Sequence, residues 1–172
     1  TMGLERELGG GFLFRGRYTH KNVDRAIEDI GIPTASGSEA YIIGNPGFGL
    51  ADQLAQDEGF PSPKAIRKYD ALELQVDKRF AKNYYFNANY TFSRLKGNYS
   101  GLASSLEFGR VSPNVSRLFD LPWQAFNLNG DPLNGRLPTD RPHVFKFYGA
   151  YTANWGGSQS TEFSGFTTAA SG

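Results

Sequence analysis

The chain has 172 residues, no cysteine and a formal net charge of +1. The missing thiols exclude a disulfide framework and a thiolate metal centre, and 18 basic against 17 acidic residues give no electrostatic case for nucleic acid as a partner. Aromatics at 15%, with 14 Phe, 9 Tyr and 21 Gly, favour an all-β chain with aromatic bands and long loops over a helical one.

The first hairpin is predicted over about residues 1–24. Met2, Leu4 and Leu8 share one parity, Gly9-Gly10-Gly11 turns the chain, and Phe12, Phe14, Gly16 and Tyr18 return against Arg15 and Arg17 on the other parity. From about 25 to 66 the period-2 pattern gives way to turn signals at Gly31-Ile32-Pro33, Ser36-Gly37-Ser38, Asn45-Pro46-Gly47 and Phe60-Pro61-Ser62-Pro63. Within this connection Glu39 to Ile43 is a candidate short strand and Leu50 to Glu58 a candidate short helix.

The second hairpin, about 67–96, has the clearest alternation. Leu72, Leu74 and Val76 oppose Glu73, Gln75, Asp77 and Arg79; after Ala81-Lys82-Asn83 the chain returns with Phe86, Ala88, Tyr90 and Phe92 against Asn87, Asn89, Thr91 and Ser93. Setting Phe12 on Tyr84, an offset of 72, also aligns Glu5-Arg6 with Asp77-Lys78 and Tyr18-Thr19 with Tyr90-Thr91. One supersecondary unit is used twice. A second connection, about 102–141, carries Ser112-Pro113-Asn114, Leu121-Pro122-Trp123, Asn129-Gly130-Asp131-Pro132 and Leu137-Pro138-Thr139. A third hairpin, about 142–169, turns at Asn154-Trp155-Gly156-Gly157 and returns over Thr161 to Thr168.

The order strand, tight turn, strand, long connection gives two chemically different ends, as in a barrel standing across a membrane. A mean hydropathy of −0.46 does not speak against this, because half of each barrel strand is polar. The predicted fold class is an all-β antiparallel meander of about six strands, spanning 1–172 as part of a large transmembrane β-barrel with long extracellular loops. Six strands do not close such a barrel, and an open edge in lipid leaves unpaired backbone groups. The remaining strands are therefore expected from a longer parent chain or from other subunits. TMGLERELGG has no apolar export core, so the chain reads as an internal piece.

Four runs then take on a family likeness: RKYDALELQVDKRF, YYFNANYTFSRLKGNYSGLASS, GRVSPNVSRLFDLP and GRLPTDRPHVFKFYGAY. They resemble the barrel region of TonB-dependent outer-membrane receptors, specifically the Oar-like group, with NYTFSRLKGNYSGL and LPTDRPHVFK the most specific stretches. The resemblance implies a barrel of about 22 strands plugged by an N-terminal globular domain in the bacterial outer membrane. It also implies uptake of an extracellular ligand, energised through a periplasmic coupling protein. The implied partners are outer-membrane lipid, the other strands and the plug of the parent chain, that coupling protein, and a ligand no motif here names. Signal peptide, plug and energy-coupling box are not in this sequence, so the transport function belongs to the parent. The runner-up reading, of another class, is a β-rich structural or adhesive surface protein binding through its loops.

On the polar parity, Arg15, Arg17, Glu73, Gln75, Asp77, Asn87 and Asn89 are the substrate-contact candidates of a barrel lumen. Their plainer reading is a cross-strand network wetted by the lumen or packed on a plug. Tyr41, Phe48, Tyr99, Phe119, Trp123 and Phe126 are candidate loop contacts, Tyr99 and Trp123 foremost; their plainer reading is packing of the loops on one another. Asn127, Asn129 and Asp131 space three oxygens in a faintly calcium-like way but depart from the EF-hand order. His20 and His143 lie on different hairpins, which leaves little material for a metal or acid/base site. Asn-x-Ser/Thr at Asn89, Asn98 and Asn114 has no meaning in a bacterial outer membrane. No cofactor is expected. Neither a nucleophile elbow nor a phosphate-binding glycine loop appears, so the chain is not read as an enzyme.

Overall fold

The computed structural model describes residues 1–60, 62–101 and 117–171. Nine strands are described: β1 (Met2–Gly9), β2 (Phe12–Val23), β3 (Glu28–Pro33), β4 (Glu39–Gly44), β5 (Arg67–Ala81), β6 (Tyr84–Gly97), β7 (Gly135–Arg136), β8 (His143–Gly156) and β9 (Gln159–Ala170). The α-helices are α1 (Gly49–Asp57) and α2 (Arg117–Asp120), and a short 3-10 helix follows at Pro122–Ala125. The chain forms two compact units, one of Thr1–His20, Tyr69–Arg94 and Asp140–Gly172, the other of Lys21–Lys68 and Leu95–Thr139.

The first unit is a sheet in the order β1-β2-β5-β6-β8-β9. Neighbours in sequence order are neighbours in space, the meander expected when tight turns join strands of alternating pattern. Aromatics fix one face. Phe86 stacks on Phe147 with centroids 5.9 Å apart and meets Phe12 edge-on at 6.2 Å, so one apolar ladder spans β2 to β8. Directly across from Phe86 lies Gly149, where a Cβ would come within 2.9 Å of the Phe86 Cβ. It would also come 2.8 Å from the Tyr85 carbonyl oxygen, so β8 approaches β6 here only with glycine.

Bulges keep the parity true. In β1–β2 the register shifts between Glu7 and Gly9, and in β8–β9 between Asn154 and Gly156, leaving Leu8 and Trp155 as the extra residues. The third-hairpin loop thus falls at Gly157-Ser158 and not at Asn154 to Gly157, because β8 runs on through the bulge. Between β5 and β6 the loop is Lys82-Asn83, with φ of 54° and 70°, the left-handed pair a two-residue hairpin requires. A two-residue loop alone would set Asp77 opposite Ala88. The Asp77–Asn87 hydrogen bond instead puts these two side chains on one face, one residue off that register.

Lys78 falls on the apolar parity, against the binary pattern. Its ammonium lies 5.3 Å from the Phe12 ring centroid and 5.1 Å from that of Tyr84, and it donates to the Arg79 carbonyl at 2.8 Å. Cation–π contact and one backbone acceptor make its burial tolerable.

The second unit has a core of its own. β3 and β4 pair from Glu28↔Gly44 to Pro33↔Glu39. Gly31-Ile32-Pro33, a turn signal by sequence, is therefore strand, because Ile30 and Ile32 are buried there. Ala26, Ala65, Tyr99 and Phe119 form a buried cluster with Val23 against it. Asn98 ties the segment ends together: its Oδ1 accepts from the Ile66 amide at 2.7 Å and its Nδ2 donates to the Lys64 carbonyl at 2.9 Å. In the turn after α2, Asn127 Oδ1 accepts from the amides of Asn129 and Asp131, both at 2.9 Å, so the oxygen-rich spacing there closes a turn.

Candidate functional site

The polar parity of β1, β2, β5 and β6 produces a connected face. Arg15 Nε donates to Glu5 Oε2 at 2.5 Å and Arg15 Nη1 to Asp77 Oδ2 at 2.6 Å, joining the first hairpin to the second. Asp77 also accepts from Gln75 at 2.8 Å and, on its other oxygen, from Asn87 at 2.5 Å. The 72-residue repeat carries this arrangement: Glu5 with Arg15 and Asp77 with Asn87 are the same acid–donor rung, ten residues apart in each hairpin. Arg17 bonds Glu73 through Nε and Nη2, and Arg79 Nη2 reaches Glu7 at 3.0 Å. Asn89 accepts from Thr91 at 3.4 Å.

Beside these rungs is a depression of about 330 Å³ lined by Gly3, Leu4, Glu5, Arg15, Gly16, Arg17, Glu73, Gln75 and Asn89. Five of the sequence candidates, Arg15, Arg17, Glu73, Gln75 and Asn89, meet in it. Asn87 stays one rung away on Asp77. The depression offers guanidinium and carboxylate groups hydrogen-bonded to one another, a surface suited to a hydrated or zwitterionic solute.

One face aromatic and aliphatic, the other paired and charged, is the division a strand across a membrane requires. Residues 1–172 match the family model described as outer membrane beta barrel domain. The chain belongs to that family. It is a β-barrel component of the bacterial outer membrane, and the antiparallel sheet described above is an unclosed part of such a barrel. The barrel chain is also 36% identical over 154 residues to the TonB-dependent transporter Oar of Myxococcus xanthus. That match covers 90% of this chain and 13% of the relative. No solved structure matches it.

The loop candidates of this outer-membrane barrel chain separate. Tyr99 is 4% exposed and Phe119 fully buried, their rings 6.3 Å apart. Tyr99 is thus a core residue and not a displayed contact. Connections of this length need an apolar centre to stay folded, and aromatics supply the most burial per residue. Burial also pushes the Tyr99 phenol up from its usual pKa. Tyr41, by contrast, is 53% exposed, and its hydroxyl donates to Glu39, which raises its pKa to about 12. Phe48 is half-buried under two cations, and Phe126 is half-buried. The Trp123 side chain, Ser112-Pro113-Asn114 and the start of the second connection from Leu102 lie outside the described residues.

Sequence reading left Lys78 and the pairing of Arg25 with Phe48 unassigned. The cationic residue on an apolar parity was the available signal for Lys78; nothing local announces Arg25.

Removing the hub tests whether the polar face is a solvated network. Asp77→Ala is expected to leave the barrel assembled, with a thermal midpoint close to that of the unsubstituted protein, since Arg15 keeps Glu5 and water replaces the lost acceptor. Heat-dependent gel mobility of the full-length protein measures this. Loss of assembly would mean that the face is packed dry.

Proposed function

We propose that the chain forms part of a TonB-dependent receptor that takes up a ligand across the bacterial outer membrane. The observation carrying this reading is the 36% identity over 154 residues to a TonB-dependent transporter, joined to a sheet with one apolar and one charged face. In this reading Leu72, Leu74, Val76, Phe86 and Tyr90 meet lipid. Arg15, Arg17, Glu73, Gln75, Asp77, Asn87 and Asn89 line the lumen, where they meet the plug of the parent chain or a passing solute. Strands of 14 and 15 residues support it, since a tilted transmembrane strand needs only about 9–11 and the surplus reaches past the bilayer. Energy coupling would come through a periplasmic partner of the parent protein.

The short loops at Gly10-Gly11, Lys82-Asn83 and Gly157-Ser158 are assigned to the periplasm and the long connections, about 25–66 and 102–141, to the cell exterior, as bacterial barrels arrange short turns and long loops. Epitope tags at Ser36 and Asn129 are expected to bind antibody on intact cells and a tag at Lys82 to bind only after permeabilisation. Reach of the Lys82 tag alone would invert the orientation. A protein found in the soluble fraction would end the membrane reading.

A further inference from the structure

We infer that the second unit carries a binding site for a carboxylate bearing an apolar group, in the cleft between β4 and the start of α1. As a ligand class for the loops this rests on the proposed external placement of the first long connection; as a site it stands on its own geometry. The cleft measures about 350 Å³, and Arg25, Ile42, Ile43, Phe48, Leu50 and Ala51 are among its walls. That volume suits a small ligand.

Its walls mix aliphatic side chains with the Arg25 guanidinium and Asn45. Ile43 is 64% exposed and Leu50 61%, so two large aliphatic side chains stand in water at one mouth. An apolar ligand group covering them would remove that contact with water. Two cations stand beside them. The Arg25 guanidinium carbon lies 5.4 Å from the centroid of Phe48, and Lys64 Nζ lies 4.8 Å from the same ring. Neither cation makes a salt bridge with a carboxylate among the described residues, whereas Arg15 has two and Arg17 and Arg79 one each. The Phe48 ring attracts both cations through its quadrupole but carries no net charge to neutralise either. A carboxylate at Arg25 gains a charge-assisted hydrogen bond, while an amine would be repelled by the guanidinium and an alcohol would gain only the apolar contact.

The sign of the ligand charge is therefore the test. Full-length protein in detergent would be titrated calorimetrically with octanoate and octanol, and with acetyl-leucyl-leucine as the free acid and as the amide. The expected result is that at least one acid binds about tenfold more tightly than its uncharged counterpart. Arg25→Gln removes that preference and Arg25→Lys retains part of it. Octanoate alone binding assigns free amphipathic acids, the peptide acid alone assigns chain termini, and both assign the shared chemistry. Equal binding of acid and neutral probe, no binding of either acid, or an unchanged preference in Arg25→Gln overturns the site. Placement is read separately with Ile43→Cys, since the chain has no cysteine of its own. If acids bind in detergent but this thiol is not labelled on intact cells by a membrane-impermeant maleimide, external placement fails and the site stands. If it is labelled and no acid binds, the site fails and the placement stands.

Discussion

Arginine at Leu74 is expected to destabilise the assembled barrel by about 2–4 kcal/mol, and arginine at Gln75 to cost far less. The two positions are neighbours in β5, so strand propensity and loop strain are shared between them, and only the facing differs. Leu74 shares its face with Phe14: a Cβ built on Gly16 would lie 3.7 Å from Phe14 Cε1 and 3.9 Å from Leu74 Cδ2. Gln75 donates to Asp77 at 2.8 Å on the other face. An arginine replacing Leu74 must bring its guanidinium into hydrocarbon or bend toward the headgroups, whereas one replacing Gln75 enters a face that already holds Arg15 and Arg17 with carboxylates. Reversible unfolding of the full-length protein in bilayers measures both. Equal costs at the two sites would show that Leu74 does not meet lipid.

Alanine at Gly31 is expected to loosen the second unit by about 3 kcal/mol and leave β5 and β6 of the first unit intact. Its Cβ would fall 1.8 Å from the Asp120 carbonyl oxygen and 2.7 Å from the carbonyl carbon, both backbone atoms of α2 that no rotamer change can move aside. Either α2 withdraws, uncovering Ile30 and Phe119, or β3 shifts against β4. Hydrogen exchange of the full-length protein reads this directly: amides of Asp29 to Ile32 should exchange on the order of 100-fold faster, with those of Leu72 to Val76 unchanged. Unaltered exchange at Ile30 would mean that α2 does not pack on β3 as described.

Parity was legible in the sequence, because a strand's two faces are set by a period of two that depends on nothing beyond the strand. Leu74 and Gln75 needed no partner to be told apart, and the same holds for Phe86 and Asn87. The repeat at an offset of 72 was equally legible, and with it the equivalence of Glu5 and Asp77. What joined them was not. Arg15 reaches Asp77 across 62 residues of chain, and that bond exists only because β2 and β5 pair edge to edge. The bulges at Leu8 and Trp155 were equally hidden, since one extra residue beside a tight turn leaves the alternation of each strand undisturbed on either side.

The loops were least legible for a different reason. Tyr99 and Tyr41 carry the same side chain in similarly polar, glycine-bearing sequence, yet one is sealed against Phe119 and the other stands in water beside Glu39. Lys64 and Arg25 are ordinary exposed cations until folding sets both on the ring of Phe48. By itself the sequence determined the all-β class, the two faces of each hairpin and the alternation of tight turns with long connections, all consequences of local stereochemistry. Tertiary structure alone decided which aromatics became core, which acids share a guanidinium and where a cleft opens, because burial and charge pairing depend on contacts between residues that are remote in the chain.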